Sequence, residues 1–192
     1  MPPWLTLTSC GITSYLLGSV SFSLLFAKAK GVDLRSVGSG NPGATNAARA
    51  MGKKVGLAVY LLDMLKGLLP VLIGAWLWGV EASVVAGASA YTGHILPFWN
   101  GFRGGKGVAT LSGAFLALAP LVFLAAGLSW ILVKKVFGLV ALGSLAFGVA
   151  LPIAAWALGV HLWIFWFGLG GGLFLFVTHR SNLMKMIQGT ED

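Results

Sequence analysis

Long apolar stretches separated by short polar connections dominate this chain. A transmembrane helix needs roughly 20 consecutive apolar residues, and most of these stretches reach or approach that length. They cover residues 4–27, 55–79, 82–99, 108–133, 137–158 and 160–178. The pattern predicts an all-α integral membrane protein that leaves little chain for a soluble domain.

Basic residues are distributed unevenly among the connections, and this predicts the orientation of the chain. Those that crowd the first connection are Lys28, Lys30, Arg35, Arg49, Lys53 and Lys54. Because cytoplasmic loops carry an excess of lysine and arginine, this connection is predicted to be cytoplasmic and the N-terminus external. The next connection, near Glu81, has no basic residue and is predicted to be external, whereas Arg103 and Lys106 mark a return to the cytoplasm.

The predicted number of membrane crossings depends on whether the helix breaks at Pro120. A single span over 108–133 would place Lys134, Lys135 and the tail that carries Arg180 outside the cell. Proline lacks the backbone N–H and clashes with the preceding helical turn, so it ends or kinks a helix. A break at Pro120 would instead make two short helices. Lys134, Lys135 and Arg180 would then all be cytoplasmic. We therefore predict about seven transmembrane helices, some short or broken, with an external N-terminus and a cytoplasmic C-terminus.

Composition supports one membrane domain over residues 1–192. The chain is 57% hydrophobic and 9% charged, with a mean hydropathy of +0.88, whereas a soluble domain averages about 25% charged residues. The formal net charge of +8 comes from bases at span ends and in glycine-rich connections. That placement fits anionic lipid head groups and anionic substrates rather than nucleic acid. We expect a multi-pass protein of the cell inner membrane.

The reactive side chains exclude several kinds of site. Cys10 is the single cysteine, so no internal disulfide can form. No cluster of cysteine and histidine suggests zinc, and no acidic pair suggests a divalent-metal site. We expect neither a metal nor another cofactor. The His-x4-Asp dyad of soluble-headed lipid acyltransferases is also missing, because none of the three histidines is followed by an aspartate at that spacing.

Three polar, glycine-rich stretches are predicted to share the cytoplasmic side. They are residues 38–46 (GSGNPGATN), 93–110 (GHILPFWNGFRGGKGVAT) and 178–182 (THRSN). Their convergence is the main functional signal, and it predicts a phosphate-binding site.

The first stretch matches G-x-G-x-x-G, the dinucleotide-binding fingerprint. That interpretation requires a preceding strand, but a membrane helix precedes this stretch, and Asp63 lies inside the next apolar run. The glycines can still bring backbone N–H groups close to an anion, and a helix opening after Pro42 would add its N-terminus. Neutral donors come from Ser39, Asn41, Thr45 and Asn46, and Arg49 follows one helical turn later. A plain polar turn is the alternative.

The second stretch carries Arg103-Gly104-Gly105-Lys106-Gly107, a flexible basic loop that fails the Walker pattern. Lys106, between glycines, is well placed to meet a phosphate as a mobile point charge. An ordinary positive-inside anchor is the alternative, most of all for Arg103. His94, before Pro97, is as compatible with a structural role as with a functional one.

In the third stretch His179 and Asn182 are three residues apart, so they would share one helical face. A histidine there could donate a hydrogen bond to a phosphate or act as an acid or base. Asp63 and Lys66 are predicted to pair inside the membrane, because each charge alone is costly there. Ser144 is typical of close helix packing.

The first stretch followed by Arg49, the second stretch, and the whole tail over residues 178–192 (THRSNLMKMIQGTED) resemble the three signature regions of the bacterial acyl-phosphate:glycerol-3-phosphate acyltransferases of the PlsY type. The resemblance covers essentially the whole chain, and the combination of motifs is highly specific. The second motif has Arg103 where a lysine is also common, which keeps the charge. The resemblance implies transfer of a fatty acyl group from acyl phosphate to the 1-hydroxyl of sn-glycerol 3-phosphate, giving lysophosphatidic acid and inorganic phosphate.

The resemblance also implies site residues. Phosphate binding would fall to Ser39, Gly40, Asn41, Thr45, Asn46 and Arg49, with the loop residues Arg103, Gly104 and Gly105. Lys106, His179 and Asn182 would complete the site, with Arg49 among the catalytic group. Ser144 matches a serine that the family suggests in its sixth span, which adds a substrate role to the packing one.

We expect an active site that faces the cytoplasm, an acyl chain that enters from the inner leaflet among the membrane lipids, and a chain that functions as a monomer. A substrate phosphate oxygen would accept the proton, with help from His179, and no covalent acyl-enzyme would form. An acyl-serine at Ser39 or Ser144 is the mechanistic alternative. The competing function is a membrane transporter for a phosphorylated metabolite, which predicts an internal repeat and a midplane site.

Overall fold

The computed structural model describes residues 2–191, and these residues form helices joined by turns, with no β-strand among them. In chain order the α-helices are α1 (Pro3–Gly18), α2 (Phe22–Ala29), α3 (Ala44–Met51), α4 (Lys53–Ile95), α5 (Val108–Leu118), α6 (Pro120–Phe137), α7 (Val140–Ala157), α8 (Leu162–Thr178) and α9 (Arg180–Ile187). A 3₁₀ turn over Phe98–Asn100 lies between α4 and α5. The all-α prediction is confirmed.

Several helices are suited to lipid. Within residues 2–191, four segments are long and apolar enough to span a membrane: Pro3–Ala29, Lys53–Asn100, Pro120–Phe137 and Val140–Ala157. The pair α8 and α9, bent by 57°, makes a fifth if it counts as one span. Large apolar side chains stand exposed on these segments, for example Trp76 at 84% and Leu121 at 65%, as expected for surfaces that face lipid. The chain is a multi-pass membrane protein.

The chain divides into two compact units, one ending at Ala114 and the other beginning at Phe115. The boundary falls inside α5. The first unit holds the first two polar stretches, and the second holds the third stretch and Ser144. The single domain expected from composition stays a prediction.

A sharp reversal at Gly79 divides the 43-residue α4. Gly79 has φ 84° and ψ −167°, a conformation that is essentially restricted to glycine. A Cβ on Gly74 would lie 3.1 Å from backbone atoms of Ala82, although eight residues of straight helix would separate them by about 12 Å. The two halves of α4 therefore fold back on each other, as the connection predicted near Glu81 requires.

The first apolar run is broken, which the sequence pattern did not predict. α1 ends at Gly18 and α2 starts at Phe22. The Ser19 hydroxyl donates to the carbonyl of Tyr15 at 2.8 Å, and Ser21 and Ser23 hydroxyls lie 3.2 Å apart. Serine side chains that bond locally compete with the helical ladder, which accounts for the interruption.

The predicted break at Pro120 is present. α5 ends at Leu118, Ala119 is non-helical with φ −154° and ψ 82°, and α6 begins at Pro120 itself. Proline suits this position because its missing N–H would have had no intrahelical acceptor there. α5 is only 11 residues long, or about 16 Å at ~1.5 Å per residue. The count of seven spans and the orientation of both termini stay predictions.

In the second unit, close contacts between small residues join α7 and α8. A Cβ on Gly172 would overlap the carbonyl oxygen of Gly148, so the two backbones touch. Small residues commonly permit such approach between membrane helices. Phe115 and Phe167 stack beside this contact with ring centroids 5.3 Å apart.

Candidate functional site

The first polar stretch forms a turn followed by a short helix. α3 starts at Ala44, two residues after Pro42, as predicted. Gly43, in an extended conformation, precedes it and offers no side chain to cap the helix. The N–H groups of the first turn therefore have no intrahelical acceptor, and the positive end of the helix dipole lies at this turn.

The side chain of Asn46, which is 2% exposed, is buried under the turn and holds its backbone by hydrogen bonds. Its Nδ2 donates to the carbonyls of Leu34 and Val37, both at 3.0 Å, and its Oδ1 accepts from the backbone N–H of Ser39 at 3.1 Å. Both amide hydrogens are thus engaged. The Asn46 side chain therefore shapes the loop in this structure, and its backbone N–H, in the first turn of α3, is the donor that it can offer to an anion.

The side chains around this turn point outward. Ser39, Thr45 and Arg49 are exposed, and Asn41 is half-buried. The Ser39 hydroxyl accepts from the backbone N–H of Asn41 at 3.4 Å. A Cβ on Gly38 would lie 3.9 Å from Cδ of Arg49, so the arginine stem runs beside the turn.

The second polar stretch folds onto the end of α4. The N–H of Gly104 donates to the carbonyl of Ile95 at 3.1 Å, and that of Gly105 donates to the carbonyl of His94 at 3.2 Å. The loop then leads through Lys106, which is half-buried, into α5 at Val108. Arg103 is exposed.

The glycines of these two loops donate their N–H groups to carbonyls within the protein. In the first turn the N–H of Gly40 donates to the carbonyl of Val37 at 3.0 Å, and in the second loop both glycine N–H groups are also used internally. These glycines let the two loops pack tightly, and the phosphate-binding role expected of Gly40, Gly104 and Gly105 stays a prediction.

The first two stretches meet inside the first unit. The guanidinium of Arg35 donates from Nη2 to the carbonyl of Arg103 at 3.0 Å. A Cβ on Gly105 would lie 2.9 Å from the carbonyl oxygen of Pro42. Arg35 contributed only to the topology prediction, because nothing in its local sequence reveals a partner 68 residues away. The contact joins the loop that carries Arg103 and Lys106 to the turn that precedes α3, whose last turn carries Arg49.

A buried charged cluster lies behind the second loop. Lys66 Nζ lies 2.9 Å from Asp63 Oδ1 and donates to the carbonyl of Val20 at 2.7 Å. His94 Nδ1 lies 3.7 Å from the same Asp63 oxygen. Asp63, Lys66 and His94 are only 2%, 3% and 7% exposed. The predicted Asp63–Lys66 pair is confirmed, and His94 belongs with it.

In the second unit, His179 occupies the junction of α8 and α9 and is 2% exposed. Its Nδ1 lies 2.9 Å from the carbonyl oxygen of Leu175. A carbonyl only accepts, so Nδ1 carries the hydrogen, and in the neutral ring Nε2 is the basic nitrogen. The fold thus fixes the tautomer of the histidine that the third motif provides.

Asn182 is half-buried in α9, and its Nδ2 donates to the carboxylate of Glu191 in a short hydrogen bond. Sequence reasoning did not single out Glu191, since a charged residue near a chain end gives no local signal. This hydrogen bond holds Glu191 against the third motif.

Ser144 is buried in α7 and contributes to the packing of α6 on α7. Its hydroxyl donates to the carbonyl of Val140 at 3.0 Å and accepts from the indole N–H of Trp130 at 3.4 Å. These bonds support the packing interpretation. Among residues 2–191, no group of three or more His, Cys, Asp or Glu side chains is arranged to hold a metal ion.

Comparison with known proteins agrees with the motifs. A family model described as glycerol-3-phosphate acyltransferase matches residues 8–189. The chain is 41% identical to a glycerol-3-phosphate acyltransferase of Agrobacterium fabrum, over 96% of this chain and 90% of the relative. It is 39% identical to the Aquifex aeolicus protein of the same name, over 94% and 95% of the two chains.

Solved structures give the same result. The chain is similar to a crystal structure of PlsY (YgiH), an integral membrane glycerol 3-phosphate acyltransferase, in its glycerol 3-phosphate form. The TM-score is 0.94 at 37% identity, over 97% of this chain and 94% of that one. The lysophosphatidic acid form of PlsY matches with a TM-score of 0.91 at 36% identity.

Proposed function

Because the chain belongs to the glycerol-3-phosphate acyltransferase family and is an acyltransferase that acts on glycerol 3-phosphate, we propose that its two adjoining basic loops bind the phosphates of the reaction. The acyl donor is acyl phosphate, and the products are 1-acyl-glycerol 3-phosphate and inorganic phosphate. No observation favours the transporter interpretation.

The observation that carries the site assignment is the contact between the loop of residues 38–46 and the loop of residues 103–107. Two phosphoryl groups must be held together, one that stays on glycerol and one that leaves. Arg49, Arg103 and Lys106 supply the positive charge, and Ser39, Asn41 and Thr45 supply neutral donors at the uncapped end of α3. Buried Asn46 and the glycines of both loops hold these groups in place.

In the reaction, the 1-hydroxyl of glycerol 3-phosphate attacks the acyl carbonyl. A new ester C–O bond forms as the C–O bond of the mixed anhydride breaks, and the phosphate leaves with the electron pair. Lys106 and Arg49 stabilise the charge that develops on this phosphate, which is usually the largest contribution to catalysis. Holding both substrates in line contributes further, on the order of several kcal/mol.

The proton of the attacking hydroxyl passes to a substrate phosphate oxygen. His179 assists, because the hydrogen bond from its Nδ1 to Leu175 leaves Nε2 basic. Asn182 orients a substrate oxygen, and Ser144 contributes a hydroxyl beside its packing role. An acyl-serine at Ser39, whose hydroxyl accepts from the backbone N–H of Asn41, or at Ser144 is the alternative route. Trapping an acyl-enzyme by rapid-quench mass spectrometry would refute the substrate-assisted route.

The test of the site is turnover by purified protein supplied with acyl phosphate and glycerol 3-phosphate, scoring released phosphate and lysophosphatidic acid. Lys106→Ala is expected to abolish turnover, and Lys106→Arg to retain a small part of it. Lys135→Ala, which removes an exposed base at the end of α6, is the matched control and should be unaffected. Full turnover by Lys106→Ala would overturn the assignment.

We further propose a monomer in the cell inner membrane with seven spans, an external N-terminus and an active site open to the cytoplasm. Support comes from the breaks at Gly79 and Pro120 and from the basic loops. In a Cys10→Ser background, single cysteines at positions 30 and 188 should react with an impermeant thiol reagent only from the cytoplasm. A cysteine at position 81 should react from outside, and the opposite pattern would overturn the topology.

A further inference from the structure

The buried cluster of Asp63, Lys66 and His94 has one part that membrane packing explains. The break between α1 and α2 leaves the carbonyl of Val20 in need of a donor, and Lys66 provides one at 2.7 Å. Asp63 balances the charge of Lys66 at 2.9 Å. Buried charges in a membrane span are normally paired in this way. The contacts of Lys66 with Asp63 and Val20 do not involve His94.

His94 connects the cluster to the second loop. Its Nδ1 faces Asp63 Oδ1 at 3.7 Å, and among the described residues neither atom has a hydrogen bond of normal geometry. On the other edge of the ring, a Cβ on Gly105 would overlap Nε2 and lie 3.1 Å from Cε1. The carbonyl of His94 also accepts the N–H of Gly105. One imidazole therefore touches the buried carboxylate on one edge and the residue before Lys106 on the other.

The second loop depends on such a support. Gly104, Gly105 and Gly107 have no side chains that could anchor the loop, yet the loop must present Lys106 accurately to a phosphate. Catalysis by positioning is sensitive to displacements of about 1 Å, which can lower the rate by about 100-fold. The Asp63 carboxylate lies 3.7 Å from Nδ1, on the edge of the His94 ring away from the loop, and carboxylates at this edge orient histidines in other sites.

We propose that Asp63 and His94 are positioning residues for acyl transfer, which fix the ring against which Gly105 packs and thereby hold Lys106 in its working position. The proposal rests on the proposed role of the second loop in phosphate binding. It gives the intramembrane carboxylate a function beyond neutralising Lys66.

The experiment measures kcat and KM for glycerol 3-phosphate at saturating acyl phosphate, together with the thermal midpoint of each purified variant. His94→Asn keeps a donor near the Nδ1 position, and His94→Gln keeps one near the Nε2 position. We expect each to lower kcat by about 10–100-fold, because the contact from Asp63 through the His94 ring to Gly105 needs both edges of the ring. The thermal midpoint should change little. His161→Asn, an exposed histidine at the start of α8, is the matched control and should keep full activity.

Asp63→Asn alone would leave Lys66 charged and unbalanced and could prevent folding. The double variant Asp63→Asn/Lys66→Met removes both charges and separates ion pairing from positioning. We expect it to fold yet to remain about 10–100-fold slow, because His94 has lost its carboxylate. Adding His94→Asn to this variant should cause little further loss, since coupled residues are not additive.

Wild-type kcat in His94→Asn, His94→Gln and the double variant would overturn the proposal. A loss of activity that disappears when kcat is calculated per folded molecule would also overturn the proposal. If those variants are normal while Lys106→Ala is inactive, only the positioning role fails. If Lys106→Ala is itself active, the proposed site fails as well.

Discussion

Asn46 and Ser39 are joined by a 3.1 Å hydrogen bond in which the backbone N–H of Ser39 donates to the side-chain Oδ1 of Asn46. This bond folds the turn of the first motif back over the helix that follows it. A buried amide thus determines where the exposed hydroxyl of the motif stands.

Replacing Asn46 with alanine should lower both stability and activity. The change removes the acceptor for Ser39 and leaves the buried carbonyl of Leu34 without its donor, whereas the carbonyl of Val37 keeps the N–H of Gly40. Each buried polar group left unsatisfied costs about 1–3 kcal/mol. We expect a lower thermal midpoint and a higher KM for glycerol 3-phosphate. Ser36→Ala, which removes an exposed hydroxyl from the same loop, is the control and should leave KM unchanged.

Replacing Gly105 with alanine should separate the two loops. The added methyl group would collide with the His94 ring and crowd the carbonyl of Pro42. Because these are a buried ring and a backbone atom, the loop must shift, and we expect kcat/KM to fall by about 10–100-fold. Gly127→Ala adds a methyl group to α6 where no atom lies within 4 Å. Equal kinetics in the two variants would contradict the predicted collision.

Replacing Gly79 with alanine should destabilise the reversal of α4. A residue with a side chain is strained at φ 84° and ψ −167°, at a cost of about 1–3 kcal/mol. The measurement is the thermal midpoint in detergent, with Gly127→Ala again as the control. An unchanged midpoint would mean that the reversal tolerates a side chain.

Ser144→Ala and Trp130→Phe distinguish packing from substrate contact. Both remove the 3.4 Å bond between the indole N–H and the hydroxyl, but only Ser144→Ala removes the hydroxyl itself. We expect similar small falls in thermal midpoint, since a neutral hydrogen bond contributes about 0.5–1.5 kcal/mol. Turnover should fall further in Ser144→Ala. Matching turnover in the two variants would limit Ser144 to packing.

Glu191→Ala should impair the third motif, whereas Glu191→Gln should largely preserve it. The carboxylate accepts a hydrogen bond from Asn182, and a glutamine oxygen can replace that acceptor. Hydrogen bonds to charged groups contribute about 1.5–3 kcal/mol. Turnover and thermal midpoint of the two variants provide the measurement. Equal behaviour would show that Asn182 does not depend on this partner.

The sequence predicted those features that follow from strong local chemistry. Pro120 breaks a helix because of its ring, and the Asp63–Lys66 pair follows from the cost of isolated charges in lipid. The helix after Pro42 was also predictable. Each of these needs only neighbouring residues.

Features that depend on distant partners were not predictable. Asn46 looks like an anion donor until its amide is found on the carbonyl of Leu34, twelve residues earlier. Arg35 reaches Arg103 across 68 positions. The break after Gly18 was missed because serines are tolerated in membrane helices, and no local signal shows which of them interrupt the ladder.

The bond from Lys66 to the carbonyl of Val20 also bears on biogenesis. Translocon scales assign about 2.5–3.5 kcal/mol to each charged residue at the centre of a span. The first half of α4, which carries both Asp63 and Lys66, therefore integrates poorly as an isolated segment. Since the chain is synthesised from its N-terminus, the interrupted first span is already in the bilayer when Lys66 emerges. We expect that span, through the carbonyl of Val20, to assist the insertion of the next one.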